Sequence, residues 1–160
     1  MQPFKIYPLR IDEVAKVKAD VCDAYGNSAE ASKAVTDRSI CRRCLRRFTP
    51  GDERILFKYC PFKLESVFAE TGPIFVHTQV CEPASEPLTH YPEELRSLPL
   101  LLRAYTAGDR QVIAELVEGG AAESIINRYF SDSDVAYLHL RDGEYGCYIA
   151  RIERAESQVG

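Results

Sequence analysis

Two short clusters of soft ligands constrain this chain more than anything else in it. They are Cys41-Arg42-Arg43-Cys44 and His77-Thr78-Gln79-Val80-Cys81, separated by 32 residues. Cys-x2-Cys on a tight turn offers two thiolates to one ion and is the usual half-site for tetrahedral zinc. His77-x3-Cys81 supplies a second half. It begins where a short apolar strand, Ile74-Phe75-Val76, ends, and three intervening residues let the chain curl back on the ion. Cys41, Cys44, His77 and Cys81 thus make a Cys3His set within segment 40–82. Four protein ligands close the coordination shell, which suits a structural site, whereas a catalytic zinc keeps one position for water. The expected cofactor is a structural zinc ion. Cys60 is a spare ligand that could replace His77 or Cys81. The bland alternative is ordinary buried thiols beside a core-edge histidine.

Compartment bears on this reading. The stretch Met1–Ile6 has no apolar core of a signal peptide, and no run is long enough to cross a bilayer. The expectation is a cytoplasmic protein with no membrane partner. In a reducing compartment the six cysteines point to metal, redox chemistry or burial rather than a disulfide framework. Net charge is −4, which argues against a general nucleic-acid binder. A chain of 160 residues fits one domain and buries roughly 70% of its unfolded surface, so a metal need not be its sole source of stability.

Periodicity places the elements. Phe4–Leu9 reads as a short strand, ended or edged by Pro8. Asp12 is the expected cap of a helix over 12–22, from the spacing of Ile11, Val14, Val17 and Val21. Residues 27–39 have no clear period and read as a loop or weak helix. Thr49-Pro50-Gly51-Asp52 is a turn that launches a strand over 54–59, and a loop follows over 61–72. Segment 82–99, with four prolines, is a connection holding at most one helical turn at Pro92–Leu98. Residues 100–105 and 111–118 flank Thr106-Ala107-Gly108-Asp109 as a hairpin. Ala122, Ile125, Ile126, Tyr129 and Phe130 predict a helix over 121–131. Residues 135–141 and 147–153 flank Asp142–Gly146 as a second hairpin. The fold class is α+β: a single domain over 1–154, mostly antiparallel sheet, two main helices and two C-terminal hairpins, with 155–160 a frayed tail.

Several stretches resemble the DUF1203 family. They are Cys41-Arg42-Arg43-Cys44-Leu45-Arg46, Pro50-Gly51-Asp52-Glu53, Tyr59-x-Pro61-Phe62, Glu70–His77, Ala136-Tyr137-Leu138-His139 and Gly146–Arg154. The resemblance implies a bacterial, single-domain protein and no particular activity.

Other constellations compete for a function. Cys41 and Cys44 could form a redox dithiol, with Arg42, Arg43, Arg46 and Arg47 lowering a thiol pKa. Cys147 and His139 lie on the strands of the last hairpin and would form a nucleophile pair if the register put them in reach. The cluster Arg38, Arg42, Arg43, Arg46, Arg47 could hold a phosphate or carboxylate, or nucleic-acid backbone, although a solvated face offset by acids such as Asp52-Glu53 is the simpler reading. His90 reads as surface. No catalytic residue is assigned. The expectation is a binding or interaction module with a structural zinc, whose partner is a protein or small anionic ligand. A thiol-dependent enzyme or redox protein using Cys41/Cys44 or Cys147 is the alternative.

Overall fold

Apolar alternation in the C-terminal half builds the larger of two sheets in the computed structural model, which describes residues 3–63 and 65–156. In chain order the elements are β1 (Phe4–Tyr7), α1 (Ile11–Asp20), β2 (Glu30–Lys33), β3 (Glu53–Tyr59), β4 (Gly72–His77), β5 (Pro99–Tyr105), β6 (Gln111–Glu118), α2 (Ala122–Phe130), β7 (Tyr137–Asp142) and β8 (Tyr148–Arg154). The five-stranded sheet has the order β1-β8-β7-β5-β6, and a three-stranded sheet has the order β2-β3-β4. Every pairing is antiparallel, as expected of an α+β chain linked by tight turns. Among the described residues no helix is long and apolar enough to cross a membrane.

The period of two gives each strand of the large sheet two working faces. Leu100, Leu102 and Ala104 of β5 join Leu138 and Leu140 of β7 in one apolar cluster with Ile126, Tyr129 and Phe130 of α2. On the alternate positions of β7, Tyr137, His139 and Arg141 are also buried. β7 is therefore covered on both sides, which is why it reads as a nearly unbroken buried run. A second apolar cluster joins Val14 of α1 to Phe48, Phe57, Ile74 and Val76, and it includes Cys41, Cys44 and Tyr148. Tyr148, at the start of β8, packs 5.7 Å from Tyr59 at the end of β3, so the two sheets meet there.

Both hairpins, α2 and the β3 and β4 strands stand where the periodicity put them, and the helical turn in the proline segment is a 3-10 turn at Glu93–Leu95. Three expectations need correction. Residues 27–39 contain β2 rather than a loop or weak helix. Its four residues are all exposed, so no alternation marks it, and only pairing with β3 (Ser32 opposite Arg54) creates it. The cap of α1 is Arg10 and not Asp12: the Glu13 carboxylate accepts the Arg10 N–H at 3.3 Å, and Asp12 lies inside the first turn. The loop expected over 61–72 ends a residue early, because Gly72 already pairs with Tyr59. The tail expected to fray, 155–160, lies beyond the described residues from 157 onward.

Candidate metal centre

The Cys41–Cys44 segment is a tight turn closed by an isolated bridge between Ile40 and Arg47. Leu45 N–H donates to the Cys41 carbonyl at 2.8 Å and Cys41 N–H to the Arg46 carbonyl at 3.0 Å. Leu45 takes a left-handed conformation, φ 59°, which glycine adopts more freely; its side chain is buried, so packing holds it there. Arg42 N–H donates to the Phe75 carbonyl at 3.0 Å and fastens the turn to β4. His77 is the last residue of β4, and Cys81 lies just beyond it on the exit. Strand geometry and turn geometry thus deliver four soft ligands to one place.

The ligand atoms of Cys41, Cys44, His77 and Cys81 all lie within 4.8 Å of one another. Cys41 Sγ is 3.7 Å from Cys81 Sγ, and Cys44 Sγ is 3.6 Å from His77 Nδ1. Zinc–sulfur bonds of about 2.3 Å and zinc–nitrogen bonds of about 2.05 Å at tetrahedral angles require edges of about 3.8 and about 3.6 Å. The two separations match those edges. The supporting bonds fit as well. Cys41 Sγ accepts the His77 N–H at 3.3 Å and also the Cys44 amide, and Cys44 Sγ accepts the Arg46 amide. His77 Nε2 lies 3.3 Å from Asp52 Oδ2, an outer carboxylate that holds the ring with Nδ1 directed at the sulfurs. Phe48, fully buried, packs against the His77 ring at 4.5 Å.

The electrostatics are those of thiols crowded without a cation. Hydrogen bonds from the Cys44 and Cys81 thiols, and one from His77, drive the Cys41 pKa far below the ordinary thiol range. Cys81 moves far up because it shares its hydrogen bonds with Cys41 and Cys44, and Cys44 moves up through its bond to Cys41 and its burial, against its bond to Cys81. The His77 pKa is raised, first by Cys41 and then by Asp52, against burial. One negative charge therefore concentrates at Cys41.

The other candidates fare differently. Cys60 stands outside the group, half-buried beside Tyr25. Among the described residues Cys147 and His139 share no hydrogen bond: Cys147 Sγ lies 3.9 Å from the Tyr145 carbonyl. His139 is wholly buried among Phe62, Tyr105, Tyr137 and Tyr148. Burial, reinforced by Arg141, Arg151 and Arg103, pushes its pKa down to about 2. Among the described residues neither of its ring nitrogens has a hydrogen-bond partner, so it is not in place to take a proton from Cys147. His90 is exposed.

The arginine cluster is a solvated face only in part: Arg38 and Arg46 are exposed. Arg42 and Arg43 are buried. Arg42 donates to the Tyr148 and Ile40 carbonyls at 2.7 and 2.6 Å. Arg43 reaches the Leu9 carbonyl at 2.8 Å and the carboxylates of Glu82 and Glu86 at 2.6 and 2.7 Å. Arg46 donates to the Glu82 carbonyl, Arg47 bonds Glu94, and Arg38 pairs with Glu144. Apart from Asp37, 3.7 Å from Arg47 Nη1, the acids that answer these arginines among the described residues lie far along the chain and not at Asp52-Glu53. Their spacing was legible; their use as ties between the Cys-x2-Cys turn, the Leu9 segment before α1, the proline segment and β8 was not. Asp52 was also missed as the His77 partner. Its one sequence signal is its place at the start of β3, which antiparallel pairing sets beside the end of β4.

Residues 39–154 match the family model described as protein of unknown function (DUF1203). No curated protein and no solved structure matches the chain.

Proposed function

Because the chain belongs to the DUF1203 family, whose description assigns no activity, we propose from the site itself that this is a binding module built around a structural zinc ion. Cys41, Cys44, His77 and Cys81 hold the ion, and Asp52 orients His77. The carrying observation is the pair of separations, 3.7 Å between two sulfurs and 3.6 Å from sulfur to imidazole nitrogen, which are tetrahedral edges about zinc. Three sulfurs and one nitrogen are a donor set that favours zinc over magnesium or calcium. With four protein ligands no position remains for a substrate, so the metal's work is architectural: it staples the turn at 41–47 to the end of β4. That staple also sets Arg42 into the wall of a cleft of about 570 Å³ between the two sheets, where Arg54, Phe75, Leu98, Asp142 and Cys147 also line the space. The cleft is where such a module would receive its partner.

The test is elemental mass spectrometry on native protein purified without chelator or affinity tag, with Cys44→Ser beside it. About one zinc per chain, lost in Cys44→Ser, is the expected result. Metal-free protein whose cysteines all react freely with a thiol reagent overturns it.

A further inference from the structure

The three cysteines of the metal set are not equally protected. Cys41 and Cys44 are 0% and 3% exposed and sit in a turn closed by its own hydrogen bonds. Cys81 is only half-buried. It stands on an open exit from β4, where Gln79, Val80 and Glu82 are all exposed. Among the described residues no backbone–backbone hydrogen bond involves 79–87, so this stretch shifts more easily than the turn. Side chains keep it nearby: Arg46 donates to the Glu82 carbonyl at 3.0 Å, and Arg43 pairs with the Glu82 carboxylate at 2.6 Å. Cys81 Sγ thus rests 3.7 Å from Cys41 Sγ, on a segment that is tethered to the turn but not fixed in backbone.

Two sulfurs held this close, one of them open to solvent, are a pair that an oxidant can couple. We propose that a hydroperoxide joins Cys41 and Cys81 in a reversible disulfide and that this step releases the zinc. The inference rests on the metal reading above and adds the regulation of that site. The Cys81 thiolate attacks one peroxide oxygen, and the O–O bond breaks. With hydrogen peroxide the other oxygen leaves as hydroxide, and Cys81 becomes a sulfenic acid. The Cys41 thiolate then attacks the Cys81 sulfur. The S–S bond forms, the S–O bond breaks and a second hydroxide leaves. Two thiolates have given up two electrons, and the peroxide, with two protons from solvent, has become two waters. Zinc keeps its charge but loses two of four ligands. Cys44 and His77 alone are too few for a structural site, so the ion departs. Closing the gap from 3.7 Å to about 2.05 Å is a movement of the exit segment. Cys41 with Cys44, the pair that Cys-x2-Cys spacing suggests, lies wholly within the buried turn, where the oxidant does not reach first. The fold survives the change, because Arg42 N–H still donates to the Phe75 carbonyl at 3.0 Å and the disulfide replaces the metal as a tie.

The experiment uses the full chain carrying its zinc, freed of reductant and treated with hydrogen peroxide. A chromogenic chelator reads zinc release, while intact mass and an unreduced tryptic digest read the bond. Cleavage after Arg42 and Arg43 separates Cys41 from Cys44, so the two pairings give different peptides. The expected result is about one zinc released and one disulfide formed per chain. The chain becomes lighter by two hydrogens, the bond maps to Cys41 and Cys81, and dithiothreitol restores zinc uptake. The double variant Cys60→Ser, Cys147→Ser, which spares all four ligands, should behave alike; should it fail to fold, the digest of the unaltered protein decides. Zinc that stays bound under peroxide, or a disulfide mapped to any other pair, overturns the proposal and leaves the metal reading standing. Protein isolated without zinc overturns the metal reading and this inference with it.

Discussion

At the scale of single residues, the most informative side chain after the four ligands is Asp52. Its carboxylate lies 3.3 Å from His77 Nε2, so it fixes which ring nitrogen faces the sulfurs. Removing such an outer partner costs about 10–100-fold in metal affinity. Asp52→Ala should therefore still bind one zinc at saturation but release it to a competing chelator at a correspondingly lower chelator concentration. Unchanged competition would remove Asp52 from the site. The ligands themselves were legible because close spacing of cysteine and histidine is rare and has a coordination reason. Asp52 was not, because a Thr-Pro-Gly-Asp turn explains an aspartate fully without any metal: its Oδ2 also accepts the Thr49 N–H at 2.8 Å.

At the scale of elements, the β7–β8 hairpin is held to the start of β5 by a backbone approach that only glycine permits. A Cβ on Gly143 would stand 2.5 Å from the Pro99 carbonyl carbon, where Gly143 N–H donates to the Pro99 carbonyl at 2.9 Å. Backbone cannot swing aside as a side-chain tip can. Gly143→Ala should lose about 1–3 kcal/mol of stability by overpacking, read as a lower urea midpoint at unchanged m-value. A midpoint within error of the parent would mean the turn shifts at little cost. Elements with strong alternation or helical spacing, such as β5, β6 and α2, were readable from sequence, because each buries one face against a partner. β2 was not, since Glu30–Lys33 bury nothing and exist as a strand only through hydrogen bonds to β3.

At the scale of the whole molecule, two apolar clusters share the load, and the metal site belongs to only one of them. Chelation should then loosen the molecule unevenly. With a chelator present, amide hydrogen exchange should quicken first in 41–47 and 72–81, while β5 and β7 stay protected. The thermal midpoint should also fall, because zinc at about a thousand times its Kd contributes about 4 kcal/mol. Uniform loss of protection across both sheets would show that the metal holds the entire fold instead. The α+β class and the antiparallel habit were legible at this scale. The division into two sheets, and the cleft where they meet, were not, because they depend on Tyr148 reaching Tyr59 and on Arg42 reaching the Tyr148 carbonyl, contacts between distant parts of the chain that carry no local pattern.

The pairing of β1 with β8, in which Ile6 stands opposite Ile152, sets an order of events during synthesis. Chains emerge from the ribosome at about 5–20 residues per second, and β1 waits for its neighbour until residues 151–154 are out. The four residues proposed to hold zinc, by contrast, have all emerged by residue 81. On a ribosome stalled shortly after that point, the metal can already be gripped while the large sheet does not yet exist. On the proposed metal reading, segment 41–81 can thus be organised before β1 meets β8.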